Sequence, residues 1–354
     1  EAGFAVRIVH DAPAVSPEQI VAARAEDPGG YRSFAAFASA WEAQPRQPST
    51  VALRFAAHDV VGEAPPQARG ECNGVPSSEG TALAAFERYL ERAALGYLAA
   101  RRVPSAGATA HLAAPLSHGV LSARRVLERL EQRAGDRFLL AEERLSLRAL
   151  RESLVRRDFF LQLAWCFERE PDAVLVAAMR DFRWARSHPA LAAWREGRTG
   201  IPLVDAGMRE LRASGWMHPR IRAVVASFLC FDMGLDWRIG RDAWEAELIE
   251  DEPALASGNW QWIAGIGADP VRLPRIYNPW KQARIHDPEG KYVRRWIPEL
   301  AERPLGDRFD LRAAAVAQLR LQLFEDTYPA PLVDHDRAAR AFLRRYGEHL
   351  RRPG

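Results

Sequence analysis

Apolar residues recur at helical spacing through most of the chain beyond residue 80. Leu83, Phe86, Leu90 and Ala94 lie three or four positions apart with charged residues between them, which is typical of a helix with one buried face. The same periodicity recurs further along the chain, at about 120–134, 140–156, 158–170, 202–213, 220–235 and 241–249. The pattern predicts a mainly α-helical body whose helices are joined by short loops rich in glycine and proline.

The first 80 residues follow a different pattern. The apolar run from Phe4 to Val9 is typical of a buried strand, and Pro13 breaks the pattern soon after it. Residues 63–80 are rich in proline, glycine and serine, a composition that indicates a linker. We therefore expect a boundary here, with a helical domain over residues 81–354.

The composition indicates a soluble globular protein without a membrane segment. Hydrophobic residues make up 48% of the chain and charged residues 27%, and no apolar run is long enough to span a bilayer. The cysteines, Cys72, Cys166 and Cys230, are far apart and lack the spacing of metal ligands. This favours free thiols in a reducing compartment, so we expect a cytoplasmic protein with no metal site and no disulfide framework.

The cations are unusual in kind rather than in number. The formal net charge is only +3, and Lys281 and Lys291 are the only lysines among the basic residues. A guanidinium binds phosphate through a planar pair of N–H donors, so a surface rich in arginine suits DNA. A GC-rich genome would enrich arginine equally well, and composition alone does not decide between these explanations.

Tryptophan is crowded into one stretch of the chain. Ten of the eleven tryptophans lie between residues 165 and 296. Large indoles commonly fill helical cores, and on composition alone packing is the favoured explanation. The alternative is a series of easily oxidised indoles that carries electrons.

Seven short motifs follow one another through the part of the chain that holds these tryptophans. The most distinctive is Gly258-Asn259-Trp260-Gln261-Trp262. The others are Thr199–Arg209, Trp216–Arg222, Ala226–Leu229, Asp236–Arg238, Arg275–Gln282 and Trp296–Leu300. Taken together and in this order, the motifs resemble the flavin-binding helical domain of the DNA photolyase and cryptochrome family, with the class I-type deoxyribodipyrimidine photolyases as the nearest group.

The resemblance implies a mainly α fold, a photolyase/cryptochrome-type FAD-binding helical domain preceded by a remnant of an α/β domain. In this family an α/β antenna domain precedes the helical body, and only its C-terminal end fits into residues 1–62. The linker then covers 63–80 and the FAD-binding domain 81–354. Because the chain begins with Glu1, we expect a truncated form rather than a naturally short one. A second antenna chromophore, a folate or a deazaflavin, is expected only in a longer form.

The resemblance assigns an electron-transfer role to three of the tryptophans. Trp184, Trp237 and Trp260 take the places of the family's chain of three tryptophans, which passes electrons from the protein surface to photoexcited FAD. Trp262 stands where the family can have a branch.

A second group of residues matches the entry of the family's FAD pocket. Tyr97 belongs to the expected entry of the FAD pocket, and the residues expected to hold the diphosphate are Thr109, Ala110, His111, Leu112 and Ala113. Ala110 and Ala113 replace two serines, which keeps the backbone N–H donors but removes two hydroxyl donors. Each lost hydrogen bond would weaken FAD binding by about 0.5–1.5 kcal/mol.

Beside the flavin ring, Arg222 matches an arginine that pairs with an acidic residue. The acidic candidates are Glu250, Asp251 and Glu252, and Glu250 is expected to pair with Arg222 and to accept from the ring N–H. Ala256 stands where the family's photolyases usually have an asparagine near flavin N5. Alanine cannot form that hydrogen bond, so we expect the redox balance of the flavin to differ from that of a standard photolyase.

A third group matches the surface at which the family flips a pyrimidine dimer out of the duplex. The expected contacts to substrate and DNA are Arg101, Gln162, Trp165, Arg169, Pro219, Arg220 and Gln282. Trp165 is expected to stack on the dimer. Gln162 and Pro219 replace a glutamate and an asparagine, so the redox residues follow the family pattern more closely than the substrate contacts do.

These matches support one functional hypothesis and two alternatives. The leading hypothesis is blue-light-driven, FAD-dependent repair of pyrimidine dimers by electron transfer from reduced flavin, with damaged DNA as the partner of a monomeric protein. The alternatives are a cryptochrome-like blue-light photoreceptor without repair activity, and a degenerate or truncated member of the family. The sequence leaves the type of lesion open.

Overall fold

The computed structural model describes residues 12–22, 30–46, 75–166, 172–250, 252–268, 274–309 and 328–351. The α-helices in these residues are, in chain order, α1 Pro17–Ala22, α2 Phe34–Glu42, α3 Glu79–Glu91, α4 Tyr97–Ala100, α5 Ala113–Ser117, α6 Ala123–Ala134, α7 Ala141–Cys166, α8 Leu191–Glu196, α9 Pro202–Ser214, α10 Pro219–Ser227, α11 Trp237–Glu245, α12 Pro253–Ala264, α13 Pro279–His286, α14 Lys291–Trp296, α15 Leu305–Phe309 and α16 His335–Leu350. The mainly α fold expected from the sequence is confirmed. No helix of the described part is both long and apolar enough to cross a membrane.

Shorter elements complete the backbone. Single 3₁₀ turns lie at Ala93–Gly96, Pro104–Ala106, Ala177–Met179 and Pro298–Leu300, and a π-helical turn over Phe228–Asp232 follows α10. The predicted helix over 220–235 is thus α10 continued by this turn, and it ends before Gly234, whose φ is +67°. Within the described ranges, the β-type pairing is an isolated parallel bridge between Ala185 and Leu235.

The predicted strand Phe4–Val9 and residues 63–74 of the predicted linker lie outside the described residues. The described part of residues 1–62 contains the two helices α1 and α2. Helix α3 begins within the last two residues of the predicted linker because a capping box forms there. The Ser78 hydroxyl accepts from the backbone N–H of Thr81 at 3.3 Å, and the Thr81 hydroxyl accepts from the Ser78 backbone N–H. The domain boundary itself stays a prediction.

One expected helix boundary was wrong. The sequence favours separate helices over 140–156 and 158–170, whereas α7 is one continuous helix of 26 residues. Arg157 and Asp158, which look like a polar break in the apolar pattern, are buried. Asp158 accepts from Trp41 Nε1 at 2.8 Å and from two backbone N–H groups of the N-terminal segment. Because these donors lie 117 to 144 residues away in the chain, no local pattern reveals that the helix continues.

The described helices pack around two hydrophobic clusters. One cluster lies among α1, α2, α3, α6 and α7, and the other is built mainly by α8 to α14 with α16. The two meet where α12 packs on α7, because Gly258 approaches Phe160 so closely that an added Cβ would overlap its ring. Packing therefore requires the glycine that opens the Gly258–Trp262 motif.

Buried carboxylates on α9 close the loops around the second cluster. Asp205 accepts from the backbone N–H and the hydroxyl of Thr199, at 2.8 and 2.6 Å, from the N–H of Gly200 at 2.9 Å, and from the hydroxyl of Tyr328. Burial raises the pKa of Asp205, and these donors oppose the rise. The carboxylate thus ties the start of α9 to a segment more than 100 residues later in the chain.

Glu210, about one turn further along α9, also joins distant segments through a buried carboxylate. Its carboxylate accepts from the backbone N–H of His218 at 3.0 Å and from the hydroxyl of Tyr292 at 2.6 Å. Helices α9, α10 and α14 are therefore joined through a single side chain.

Helix α16 is held at its start and along one face. His335 Nδ1 lies 2.6 Å from Asp232 Oδ1 in the π-helical turn, and both side chains are buried. Further along the helix, the ring of Phe342 contacts those of Phe231 and Trp184, with centroid distances of 4.8 and 5.7 Å. Helix α16 therefore covers part of Trp184.

The buried side of α11 consists of Trp237, Gly240 and Trp244. The six-membered ring of Trp260, from α12, lies directly over Gly240, where an added Cβ would overlap it. Because Gly240 has no side chain, the indole of Trp260 fits against α11 between the positions of Trp237 and Trp244.

Replacing Gly240 by alanine should destabilise the protein by about 1–3 kcal/mol, because the new methyl group overlaps a buried ring that cannot move freely. The matched control is Gly80→Ala in α3, where an added Cβ would meet nothing within 4 Å and should stabilise the helix by about 0.5–1 kcal/mol. Urea unfolding followed by circular dichroism measures both changes. Equal stability of the two variants would contradict the close contact between Gly240 and Trp260.

Candidate active site

The three tryptophans expected to carry electrons lie within or against one core. Trp237 and Trp260 are 0% and 3% exposed, and Trp184 is half-buried against the same cluster. The Ala185 N–H donates to the Gly234 carbonyl at 2.9 Å, and the Asp236 N–H donates to the Ala185 carbonyl at 3.0 Å. These two bonds fix Trp184 beside the segment that leads into Trp237.

Two cations lie over the ring of Trp237. The guanidinium carbons of Arg238 and Arg241 are 4.7 and 5.1 Å from the centroid of its ring. Asp172 forms ion pairs with both arginines, and Asp236 with Arg238. These carboxylates partly neutralise the two arginines, but the groups that face the ring of Trp237 are the positive guanidiniums.

The indole in ring contact with Trp260 is Trp244. Their centroids are 4.5 Å apart and their planes are tilted by 58°. Trp244 is not among the residues predicted from the sequence, although it lies seven residues after Trp237 and therefore on the same helix face. Trp262, the expected branch, has the guanidinium of Arg275 at 3.6 Å from its ring centroid.

Arg222 and Glu250 form a largely buried ion pair of 2.5 Å. Arg222 Nε also donates to the Met217 carbonyl at 2.7 Å, which fixes the guanidinium at the start of α10. Glu252 pairs instead with Arg157 at 3.3 Å. Arg222 thus pairs with Glu250, the glutamate that the resemblance favours, while Asp251 lies outside the described residues.

Ala256 is half-buried on α12, four residues before Trp260. One helical turn therefore separates the place expected near the flavin ring from the first indole of the expected series. The methyl group offers no hydrogen bond, as the sequence implies.

The expected diphosphate segment forms a loop that leads into α5. Gly107 and His111 both adopt left-handed backbone conformations, with φ of +61° and +49°. The hydroxyl of Thr109 lies 3.0 Å from His111 Nε2. Helix α5 begins at Ala113, directly after Leu112, and no side chain caps its first N–H groups. Free backbone N–H groups at a helix start favour an anionic ligand.

This loop faces the Arg222–Glu250 pair. His118 Nε2 lies 2.7 Å from the carbonyl of Ile249, which joins the end of α5 to the residue before Glu250. Partial burial lowers the pKa of His111, and the nearby Glu250 carboxylate opposes that change. The ring of His111 also lies 4.5 Å, centroid to centroid, from that of Trp216, a contact that the sequence motifs do not predict.

The donor set fits an FAD molecule. Backbone N–H groups without a cap at α5 suit a diphosphate, and a carboxylate beside a guanidinium suits the N–H and carbonyl edge of a flavin ring. Tyr97, also expected in this pocket, is half-buried, and its hydroxyl lies 3.4 Å from that of Ser153.

A group of cations lies near this loop. Arg220 is the second residue of α10, and burial together with the guanidiniums of Arg101 and Arg102 lowers its pKa. Neither Arg101 nor Arg220 has an ion-pair partner among the residues that the structure describes. Gln282 Oε1 lies 3.0 Å from His286 Nε2, and His286 Nδ1 lies 2.7 Å from the Arg102 carbonyl. Unbalanced guanidiniums close together form an electrostatic site for phosphate.

The side chain of His218 forms a hydrogen bond with the backbone at the start of α10, next to this group of cations. Its Nδ1 accepts from the Arg220 N–H at 3.2 Å and so caps the start of α10. Burial, and then the nearby cations and histidines, lower its pKa to about 4, so the ring is neutral at pH 7. Pro219 is the exposed first residue of α10 and offers no N–H donor.

Gln162, expected to face a substrate, is fully buried. Its Oε1 accepts from the Tyr31 N–H at 2.9 Å, and its Nε2 donates to the Cys166 sulfur at 3.5 Å. Gly30 packs on the same amide with φ of +69°, where an added Cβ would overlap both Gln162 and Cys166. The amide is thus committed to the protein, and a substrate could meet it only after the segment around Gly30 had moved.

Of Trp165 and Arg169, which are also expected to contact the substrate or DNA, the structure describes only Trp165. Trp165 is half-buried on the last turn of α7. Arg169 lies outside the described residues.

Comparison with known proteins shows that the chain is similar to one family. Residues 150–348 match the family model described as the FAD binding domain of DNA photolyase. The chain is 30% identical over 350 residues to a deoxyribodipyrimidine photo-lyase from Synechococcus sp., covering 94% of this chain and 70% of that protein. It is 34% identical over 274 residues to that of Escherichia coli, covering 74% of this chain and 54% of that protein. The chain spans about half the length of most curated relatives it matches.

Solved structures give the same result. A cryptochrome from Synechocystis sp. PCC6803 superposes with a TM-score of 0.76 at 28% identity, over 94% of this chain and 71% of that one. A class III photolyase from Agrobacterium tumefaciens superposes with a TM-score of 0.69 at 32% identity, over 77% of this chain and 56% of that one.

Proposed function

The chain belongs to the DNA photolyase family, and we propose that it uses blue light and FAD to repair pyrimidine dimers in DNA. Its helical body is an FAD-binding domain of this family. The observation that carries the proposal is the buried group of indoles around Trp260, one helical turn from Ala256 and close in sequence to the Arg222–Glu250 pair. A cytoplasmic location, a monomeric state and damaged DNA as the partner are parts of the same proposal.

In this proposal the loop 107–113 and the pair Arg222–Glu250 hold the two ends of FAD. The N–H groups at the start of α5 bind the diphosphate, and Glu250 accepts from the flavin ring while Arg222 keeps it charged. Bound FAD supplies light-driven one-electron chemistry. Tyr97, Thr109 and His111 line the entry.

Trp260, Trp237 and Trp184 provide the path by which the protein delivers electrons. The burial of Trp260 and Trp237 excludes water from the inner part of this path. Trp184 is the more exposed member, and the Phe342 ring on α16 stacks against it. Soluble reductant would therefore deliver electrons at Trp184.

Arg101, Arg220 and Gln282 provide the contact to the DNA backbone in this proposal. Two guanidiniums that lack carboxylate partners among the described residues can neutralise phosphates without first breaking an ion pair. Because phosphate contacts do not read bases, this part of the site supplies affinity rather than choice of lesion.

A cryptochrome-like photoreceptor is the second candidate, and the position of Gln162 favours it. The amide that would meet a flipped dimer is occupied by Tyr31 and Cys166. Such a protein would keep the flavin and the indoles but would not bind a lesion tightly.

Repair itself separates the two candidates. FAD-loaded, chemically reduced protein is mixed with an oligonucleotide that contains one cyclobutane dimer, and intact thymines are counted after blue light and after darkness. We expect restored thymines only after illumination. A protein that is photoreduced but leaves the dimer unrepaired is the photoreceptor, and a protein that binds no FAD on reconstitution is neither.

Replacing Trp260 by phenylalanine should abolish photoreduction of bound FAD, because phenylalanine is far harder to oxidise than indole. The FAD content should stay that of the parent chain. Trp194→Phe is the matched control, since Trp194 is buried in the same core as Trp260 and the substitution is the same. The visible spectrum under blue light with a thiol measures both, and unchanged photoreduction in Trp260→Phe would remove the electron path from the proposal.

Replacing Arg220 by alanine should weaken DNA binding across sequences and lower the slope of log K against log salt by about one, as for one lost phosphate contact. Arg340→Ala on α16 removes the same charge from an exposed site and should leave the slope unchanged. Fluorescence anisotropy of labelled DNA over a salt series gives both slopes. Equal slopes in the two variants would contradict the role of Arg220.

A further inference from the structure

Three other indoles lie on α11 and α12, the two helices that meet at Trp260, and they differ in their surroundings. Trp237 and Trp244 lie on the same face of α11 on either side of Gly240 in the chain, and Trp262 follows on α12. Of these, Trp244 is the one whose ring contacts Trp260, with centroids 4.5 Å apart. Electron transfer between aromatic groups weakens steeply with distance, so a ring in contact is well placed to exchange an electron with Trp260.

The charges that face these indoles favour Trp244 further. Removing an electron leaves a positive ring, and a guanidinium facing that ring makes its positive form costlier. Arg238 and Arg241 face Trp237, and Arg275 faces Trp262 at 3.6 Å. Within the described residues, no guanidinium lies over the ring of Trp244. The carboxylates of Asp172, Asp236 and Asp242, which pair with Arg238 and Arg241, reduce this difference.

The indole nitrogen of Trp244 is buried and has no hydrogen-bond partner in the described part of the chain. A one-electron-oxidised Trp244 would therefore keep its proton, since no acceptor is in place to remove it. The oxidised ring could then return to neutral indole by accepting one electron, without also having to take up a proton. Trp244 is 6% exposed whereas Trp237 is 0% exposed, so a soluble donor can come closer to it.

We propose that Trp244 is a second electron donor to Trp260, parallel to Trp237. This inference rests on the proposed function, in which excited FAD takes one electron from Trp260. Trp244 gives one electron to the oxidised Trp260, which returns to neutral indole, and Trp244 is left short of one electron. Two such events are reversed by two thiol molecules in solution, which lose two electrons and two protons and form one disulfide. The transfer between the indoles makes and breaks no bond.

The contact itself is tested without cofactor. Two indoles packed at this distance couple their ultraviolet transitions and give a paired positive and negative band in circular dichroism. We expect this couplet in the parent apoprotein and its loss in both Trp244→Phe and Trp260→Phe. Trp194→Phe should keep it. A couplet that is absent from the parent chain, or that survives in Trp244→Phe, overturns the inference.

The electron path is tested by photoreduction of the FAD-loaded protein. Trp237→Phe should slow photoreduction without abolishing it, and Trp237→Phe with Trp244→Phe should lower it to the level of Trp260→Phe. Trp237→Phe with Trp194→Phe should stay at the level of Trp237→Phe. If the double variant of Trp237 and Trp244 does not fold, Trp244→Phe alone should still slow photoreduction relative to Trp194→Phe.

The outcomes separate the inference from the proposed function. A Trp237 and Trp244 double variant as active as Trp237→Phe, or complete loss in Trp237→Phe alone, overturns the role of Trp244 and leaves the proposed function standing. A parent chain that binds FAD but shows no photoreduction overturns both.

Discussion

The helical body depends on burying acidic side chains only where donors meet them. An ionised carboxylate without donors costs several kcal/mol in a protein interior. Asp205 avoids this cost through Thr199, Gly200 and Tyr328, and Glu210 avoids it through the His218 backbone and Tyr292. Each carboxylate therefore fixes elements that are distant in the chain. The start of α10, which carries Arg220 and Arg222, is positioned by this requirement as much as by apolar packing.

The sequence predicts those helices and site residues that a local pattern determines. The structure differs from the prediction where residues distant in the chain supply the hydrogen-bond or ion-pair partners. Helical periodicity places most helices of the body, and the tryptophan motifs predict an electron path through Trp184, Trp237 and Trp260. Periodicity fails at Arg157 and Asp158, because the donors that let α7 continue come from the N-terminal segment. Spacing alone also cannot separate Glu250 from Glu252, since each finds a different arginine in three dimensions.

Arginine plays two opposite roles in this molecule. Around the indoles, Arg238 and Arg241 pair with Asp172 and face the ring of Trp237. Near α10, Arg101 and Arg220 lie close to each other and have no carboxylate partner in the described part of the chain. The same residue type thus lies over an indole of the proposed electron path in one place and supplies unbalanced charge in the other. Composition, which counts both alike, cannot distinguish these roles.

The short N-terminal helices α1 and α2 are distant in sequence from the helices of the body, but they pack into its interior. Trp41 donates to Asp158, and the Tyr31 N–H donates to Gln162, so both polar groups of α7 find their partners in this segment. A fragment cut at the predicted linker would leave a carboxylate and an amide without donors in its longest helix. These two donors therefore let residues before position 63 stabilise the helical body, although they precede the predicted linker at 63–80.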